Sequence, residues 1–233
     1  MTAPLRFADA REAADLAAFL ARLLHYDRAA AVRLQARGGA LAVFGRPPSF
    51  EVLAIRTAVL LDAAPLDVTV SAGELLDGIE NGGETTPAGG IPVPGAVTGP
   101  PWAGVLPPHG GWREVPGLPG AAGLRGVVAA AVAEFRTRDE QLPTERRNRA
   151  ERDRMGREIW SRTIGSTGLP LRAVHAAQSL GFLPPHEPPV ALLGSGPWLR
   201  LRTPYGSVAV RTAGPAGLGV IPVPHTAGHA HSR

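Results

Sequence analysis

Apolar positions along the chain outline the first elements. Leu16, Phe19, Leu20, Leu23 and Leu24 recur at helical spacing behind Asp9. Asp9 can accept from the free amides of a first turn, and Glu12 completes a capping box. The spacing predicts an amphipathic helix over 10–26 with its stripe in the core. Alternation then takes over. Over 31–36, Val32 and Leu34 oppose Arg33 and Gln35; Gly38-Gly39 makes a turn, and 40–44 returns. A Val/Leu/Ile-rich run covers 51–61 and a short strand 66–70, after which Ser71 and Glu74 open a short helix over 72–79.

Residues 82–119 interrupt this regularity with paired glycines and prolines. The part up to about Gly99 reads as a flexible linker. The rest carries Trp102 and Trp112 in a Pro/Gly-rich arm. Helical spacing resumes with Leu124, Val127, Val128, Ala131, Val132 and Phe135. Thr144 is placed as the cap of a second helix that is charged at first and then apolar at Met155, Ile159, Trp160 and Ile164, with Trp160 expected in the core. A third helix spans 170–180 and ends at Gly181. Strands are expected at 190–193, 198–202 and 207–211.

The fold class expected is α+β, antiparallel strands packed with helices. An internal echo suggests two β-α-β-β halves, the second carrying an all-helical insertion. The boundaries are 1–81 for the first half and 82–110 for the linker and arm. The second half is 111–213, with the insert at 139–183, and 214–233 reads as a disordered tail.

Composition narrows the chemistry. The 233 residues include no cysteine, which excludes disulfides, thiolate metal sites and a cysteine nucleophile. The net charge is +4, and every basic residue is arginine. Without lysine there is no phosphate loop of the Gly-Lys-Ser/Thr type. No Gly-x-Ser-x-Gly and no His-Glu-x-x-His occurs. The carboxylate pairs Asp62/Asp67 and Glu74/Asp77 read as surface groups, and His225, His229 and His231 lie in the tail. No cofactor and no metal is expected. No export signal or membrane span is read, so the expected location is cytoplasmic.

Two features point to binding. Trp102 and Trp112, in a stiff polyproline-like arm, suit a protein partner. This is the leading expectation: a non-catalytic, macromolecule-binding adaptor. The alternative is DNA binding by a winged-helix-like segment, 144–211, through Arg146, Arg149, Arg152 and Arg172. A small-molecule enzyme with a pocket built from scattered residues stays open, as does the oligomeric state.

The run Gly156-Arg-Glu-Ile-Trp-Ser-Arg-Thr-Ile164, followed by Gly168-Leu-Pro-Leu-Arg-Ala-Val-His-Ala-Ala-Gln-Ser-Leu-Gly-Phe182, resembles an uncharacterised protein family of high-GC actinobacteria. That resemblance brings no activity with it. At the level of fold, helix 10–26, its hairpin and the segment Leu66-Asp-Val-Thr-Val-Ser-Ala-Gly-Glu-Leu-Leu-Asp-Gly-Ile79 are similar to half of a DNA sliding-clamp domain. The similarity covers the first third of the chain and implies no site.

Overall fold

The computed structural model describes residues 3–62, 64–81 and 90–212. Helix α1 (Ala10–Tyr26) starts where its cap dictates, the Glu12 amide donating to the Asp9 carboxylate at 2.9 Å. Strands β1 (Ala31–Arg37) and β2 (Ala40–Gly45) form the hairpin, turned by Gly38 and Gly39 at φ +55° and +79°. Residues with a Cβ resist that conformation. Strands β3 (Leu53–Val59) and β4 (Leu66–Ser71) and helix α2 (Ala72–Glu80) complete the first half. The second half runs β5 (Arg113–Glu114), α3 (Ala121–Glu140), α4 (Arg149–Trp160), α5 (Leu171–Ser179), β6 (Ala191–Ser195), β7 (Trp198–Thr203) and β8 (Gly206–Arg211).

The strands make one eight-stranded antiparallel sheet in the order β4-β1-β2-β3-β8-β7-β6-β5. Each half therefore supplies four neighbouring strands. They meet along a short seam, where Leu53, Ala54 and Ile55 face Ala209, Val208 and Ser207. The α+β fold expected from the pattern is the fold observed.

Side chains alternate across the sheet, so its two faces bury different sets. Val32, Leu34, Leu41, Val43, Ala54, Val208 and Val210 join the main core with the helices. Phe44, Leu53, Ile55, Trp198 and Ala209 face the other way and form a smaller cluster. Trp102, Leu106 and Trp112 of the arm pack onto that cluster. The arm leaves the β4 edge, where the Val97 amide donates to the Thr69 carbonyl, and reaches the β6 edge, where Arg113 faces Gly194. It crosses the sheet's second face.

Two local boundaries differ from expectation. The long run 51–61 is trimmed to Leu53–Val59, because Ser49 and Glu51 take left-handed φ of +70° and +53° and keep the preceding loop out of the ladder. The second helix begins at Arg149 rather than near Glu145. Asn148 caps it, accepting from the Glu151 amide at 3.0 Å, while Thr144–Arg146 form a 3-10 turn. The tail placed at 214–233 and the linker's first part, 82–89, lie outside the described residues.

Candidate functional site

The β2–β3 loop, residues 46–52, holds both non-glycine residues with left-handed backbone among the described residues, Ser49 and Glu51. Left-handed backbone at a non-glycine residue costs energy and persists only where its surroundings hold it. Phe50, between Ser49 and Glu51, does the holding. It is buried, lies edge-on to Tyr26 at 5.5 Å between ring centroids and meets His175 at 5.2 Å. The loop separates two concave surfaces. On the helix side lies a cleft of about 580 Å³ between α3, α4 and α5. On the arm side lies a groove of about 310 Å³.

The groove is built by the arm and the sheet end. Pro101 opens a 3-10 turn (Pro101–Gly104) that lays Trp102 beside Trp198, Leu53 and Ala209. Val105, 48% exposed, completes an apolar floor. Arg46 and Arg211 line it, and neither has an ion-pair partner among the described residues. Trp102 also walls an adjoining polar hollow shared with Asp27, Arg46, Ser71 and Thr98.

The two arm tryptophans are placed differently. The Trp112 indole N–H donates to the Pro108 carbonyl at 3.0 Å, and the Arg200 guanidinium sits 5.8 Å above its ring. That side chain is engaged within the chain. Trp102 is half-buried, and its indole N–H has no partner among the described residues.

The arginines expected to meet DNA lie elsewhere, mostly in ion pairs. Arg152 grips Asp139 through two hydrogen bonds, at 2.7 and 3.1 Å. Arg146 and Arg154 share Glu151, and Arg162 grips Glu134 at 2.6 and 2.8 Å. Arg149 is almost fully exposed and reaches Asp153 only at 3.8 Å. Hydrogen bonds from Arg162, Arg152, Arg154 and Arg138 hold Glu134, Asp139, Glu151 and Glu158, respectively, below the usual carboxylate range. Pairing between sequence neighbours accounts for only part of this. Glu134 and Asp139 come from α3, across the helix pair.

Helix, turn, helix and hairpin do occur in that order, but the structure corrects the winged-helix arrangement. A wing needs a free hairpin and a recognition helix with an open face. Here β7–β8 is internal to the sheet, flanked by β6 and β3. Helix α5 is packed on β8, with Leu171, Ala173, Val174, Ala176 and Ala177 all buried. Arg172 lies beside the loop, its Nε 3.7 Å from Glu51.

The remaining candidates are surface groups. Asp67 accepts from Arg33 at 2.7 Å and Gln35 at 3.2 Å. Burial raises its pKa, but those donors outweigh it and hold the carboxyl below its ordinary value. Asp62 reaches Arg6 at 3.5 Å. Among the described residues no cluster of three His, Asp or Glu could hold a metal ion, and no helix is long and apolar enough to cross a membrane. The three tail histidines lie outside the described residues.

Residues 1–104 match the family model of a domain of unknown function, DUF8010. Residues 107–215 match that of a second domain of unknown function, DUF8185. The two matches meet inside the arm, between Trp102 and Trp112. No curated protein matches the sequence. Among solved structures, the chain is similar to the crystal structure of a DNA polymerase sliding clamp from Pseudomonas aeruginosa, at 14% identity and a TM-score of 0.46, covering 94% of this chain and 66% of that one. A crystal structure of that clamp with ligand gives 14% identity and a TM-score of 0.46, over 89% of this chain and 64% of the other. The chain thus spans just under two thirds of their length. The likeness is one of arrangement and assigns no role.

Proposed function

We propose that the protein is a non-catalytic cytoplasmic binding module that captures a segment of a partner protein in the groove between Trp102 and Trp198. One observation carries the reading. An apolar floor, with Glu51 at its edge, is bracketed by two arginines, Arg46 and Arg211, that have no carboxylate partner among the described residues, whereas Arg146, Arg152, Arg154 and Arg162 are neutralised. Such a floor suits one apolar side chain, and such a rim suits an acidic residue beside it. A half-buried tryptophan in a proline-stiffened turn loses little entropy on binding, which is why such residues become anchors.

Selection from a displayed random-peptide library tests this. Enriched peptides should pair an apolar residue with Asp or Glu. Trp102→Ala and Arg211→Glu should each abolish their retention while leaving the circular dichroism spectrum unchanged. Retention that survives Trp102→Ala would remove the groove from consideration.

A further inference from the structure

The cleft on the other side of the β2–β3 loop has two properties that packing alone does not require. The first concerns its rings. Trp160, expected in the core, lies at the edge of it and is half-buried. Its indole stacks on His175 at 4.3 Å with the planes 20° apart, and Phe50 closes the far side of the imidazole. Gly156 sits inside α4 between Trp160 and Phe135. A Cβ there would stand 3.7 Å from Trp160 Cδ1 and 3.9 Å from Phe135 Cε2. The space is therefore sterically open to alanine, yet the helix carries glycine, which costs it about 1 kcal/mol in propensity. The missing side chain keeps a gap between two aromatic rings.

The second property is charge. Arg157 lines the cleft and its guanidinium has no hydrogen bond or ion pair among the described residues, on a helix where Arg152 and Arg154 are both engaged. Arg172 lines it too. Its Nε is buried without a hydrogen bond, the nearest carboxylate being Glu51 at 3.7 Å. Unsatisfied buried donors are rare and call for an explanation. Two guanidinium groups thus have donors to give in the lining of an aromatic cleft, which Asp153 and Glu51 share. The Ser49 hydroxyl and the exposed Glu51 carboxylate stand at its third wall.

We propose that this cleft binds a small anionic ligand with one planar heteroaromatic ring, of the nucleoside monophosphate class. Its ring lies against Trp160 and Phe135. Its phosphate accepts from Arg157 and from Arg172, and Glu51 swings out as the anion arrives. The sugar hydroxyls meet Ser49. The volume, about 580 Å³, falls in the ordinary range for small-molecule sites. Burial lowers the His175 pKa, so the stacked imidazole is a neutral wall at neutral pH. Glu51 lines both this cleft and the groove at Trp102, but neither reading depends on the other.

Calorimetric titration with AMP, GMP, CMP and UMP tests the proposal, with adenosine and ribose 5-phosphate as the ring-only and anion-only controls. At least one nucleotide should bind saturably, and each control about tenfold more weakly, the loss expected for one charge-assisted contact or one stacked ring. Arg157→Ala should weaken nucleotide binding about tenfold or more with no change in thermal midpoint, because Arg157 has no intramolecular partner to lose. Gly156→Leu should block binding while the helix signal in circular dichroism is retained. Trp102→Ala should leave it intact. Failure of all four nucleotides to bind below millimolar concentration, or binding indifferent to Arg157→Ala, would overturn the assignment.

Discussion

Arg56 Nη2 donates to Asp15 Oδ2 at 2.8 Å and ties the first helix to the strand at the middle of the sheet. Its Nη1 donates to the Tyr205 carbonyl at 2.5 Å, in the β7–β8 turn. One buried side chain therefore links three segments drawn from both halves. Its Nε has no partner, so the guanidinium depends on these two bonds. Removing one member of such a pair leaves a charge that water cannot reach. Asp15→Ala should cost about 1.5–3 kcal/mol, the range for a hydrogen bond to a charged group. Arg56→Met should cost less, because Asp15 is 40% exposed and can be hydrated instead. Urea denaturation of the two variants gives the order directly.

Gly206 opens β8 under the ring of Phe182. A Cβ built there would lie 2.5 Å from Phe182 Cε1 and 2.6 Å from Cζ. Phe182 is 1% exposed and stacked on Phe19, so it has nowhere to retreat. Gly206→Ala should lose at least the roughly 1–3 kcal/mol typical of overpacking. Phe182→Leu in the same chain should restore part of it. A single mutant as stable as wild type would show that the two segments are not in contact.

Acid should destabilise the fold in two stages. Burial depresses the His175 pKa, so the unfolded chain takes up that proton first. Stability therefore falls as pH drops below the ordinary histidine value, about 6.5, until the folded-state pKa is reached. Carboxylates held low by arginine, Glu134 and Asp139 among them, follow the same sign at lower pH. Their contribution is present above the ordinary carboxylate pKa and lost as pH falls through the depressed one. His175→Phe should remove the first stage and leave the second. Urea midpoints measured between pH 7.5 and pH 3 separate the two.

Duplex DNA should be held weakly. Each arginine that neutralises a phosphate steepens the dependence of binding on salt. Arg146, Arg152, Arg154 and Arg162 already neutralise carboxylates, so Arg152→Ala should leave the salt slope unchanged. Glu134→Gln, which leaves Arg162 and Arg138 to share Glu158 alone, should increase retention on a low-salt column. A steep wild-type slope that Arg152→Ala flattens would mean that these pairs open for phosphate.

Much of the fold was legible because local chemistry decides it. The α1 boundaries follow from Asp9 and a five-residue stripe, and the first hairpin from two adjacent glycines. The places that escaped were decided by distant partners. Nothing in Pro-Pro-Ser-Phe-Glu announces left-handed serine and glutamate, since the burial of Phe50 against Tyr26 and His175 is what stabilises them. The arginines in and just after α4 looked like a basic face because the partners of Arg162 and Arg152, Glu134 and Asp139, sit on α3, thirteen or more residues away in sequence. Helix–turn–helix–hairpin order was visible, but order does not say which strands lie beside a hairpin. Both tryptophans of the arm were read as partner-binding, and their division into an engaged Trp112 and an open Trp102 needed the positions of Pro108 and Arg200.

The course of the arm has a mechanical consequence. Only three residue pairs join β3 to β8, a seam that would unzip under modest load if it stood alone. Residues 97–113 run across the back of that seam from one edge of the sheet to the other, seating Trp102, Leu106 and Trp112 as they go. Pulling the halves apart must peel this strap and unzip the seam together. Force is thereby spread over both faces of the sheet, and the halves should yield in a single rupture rather than one after the other.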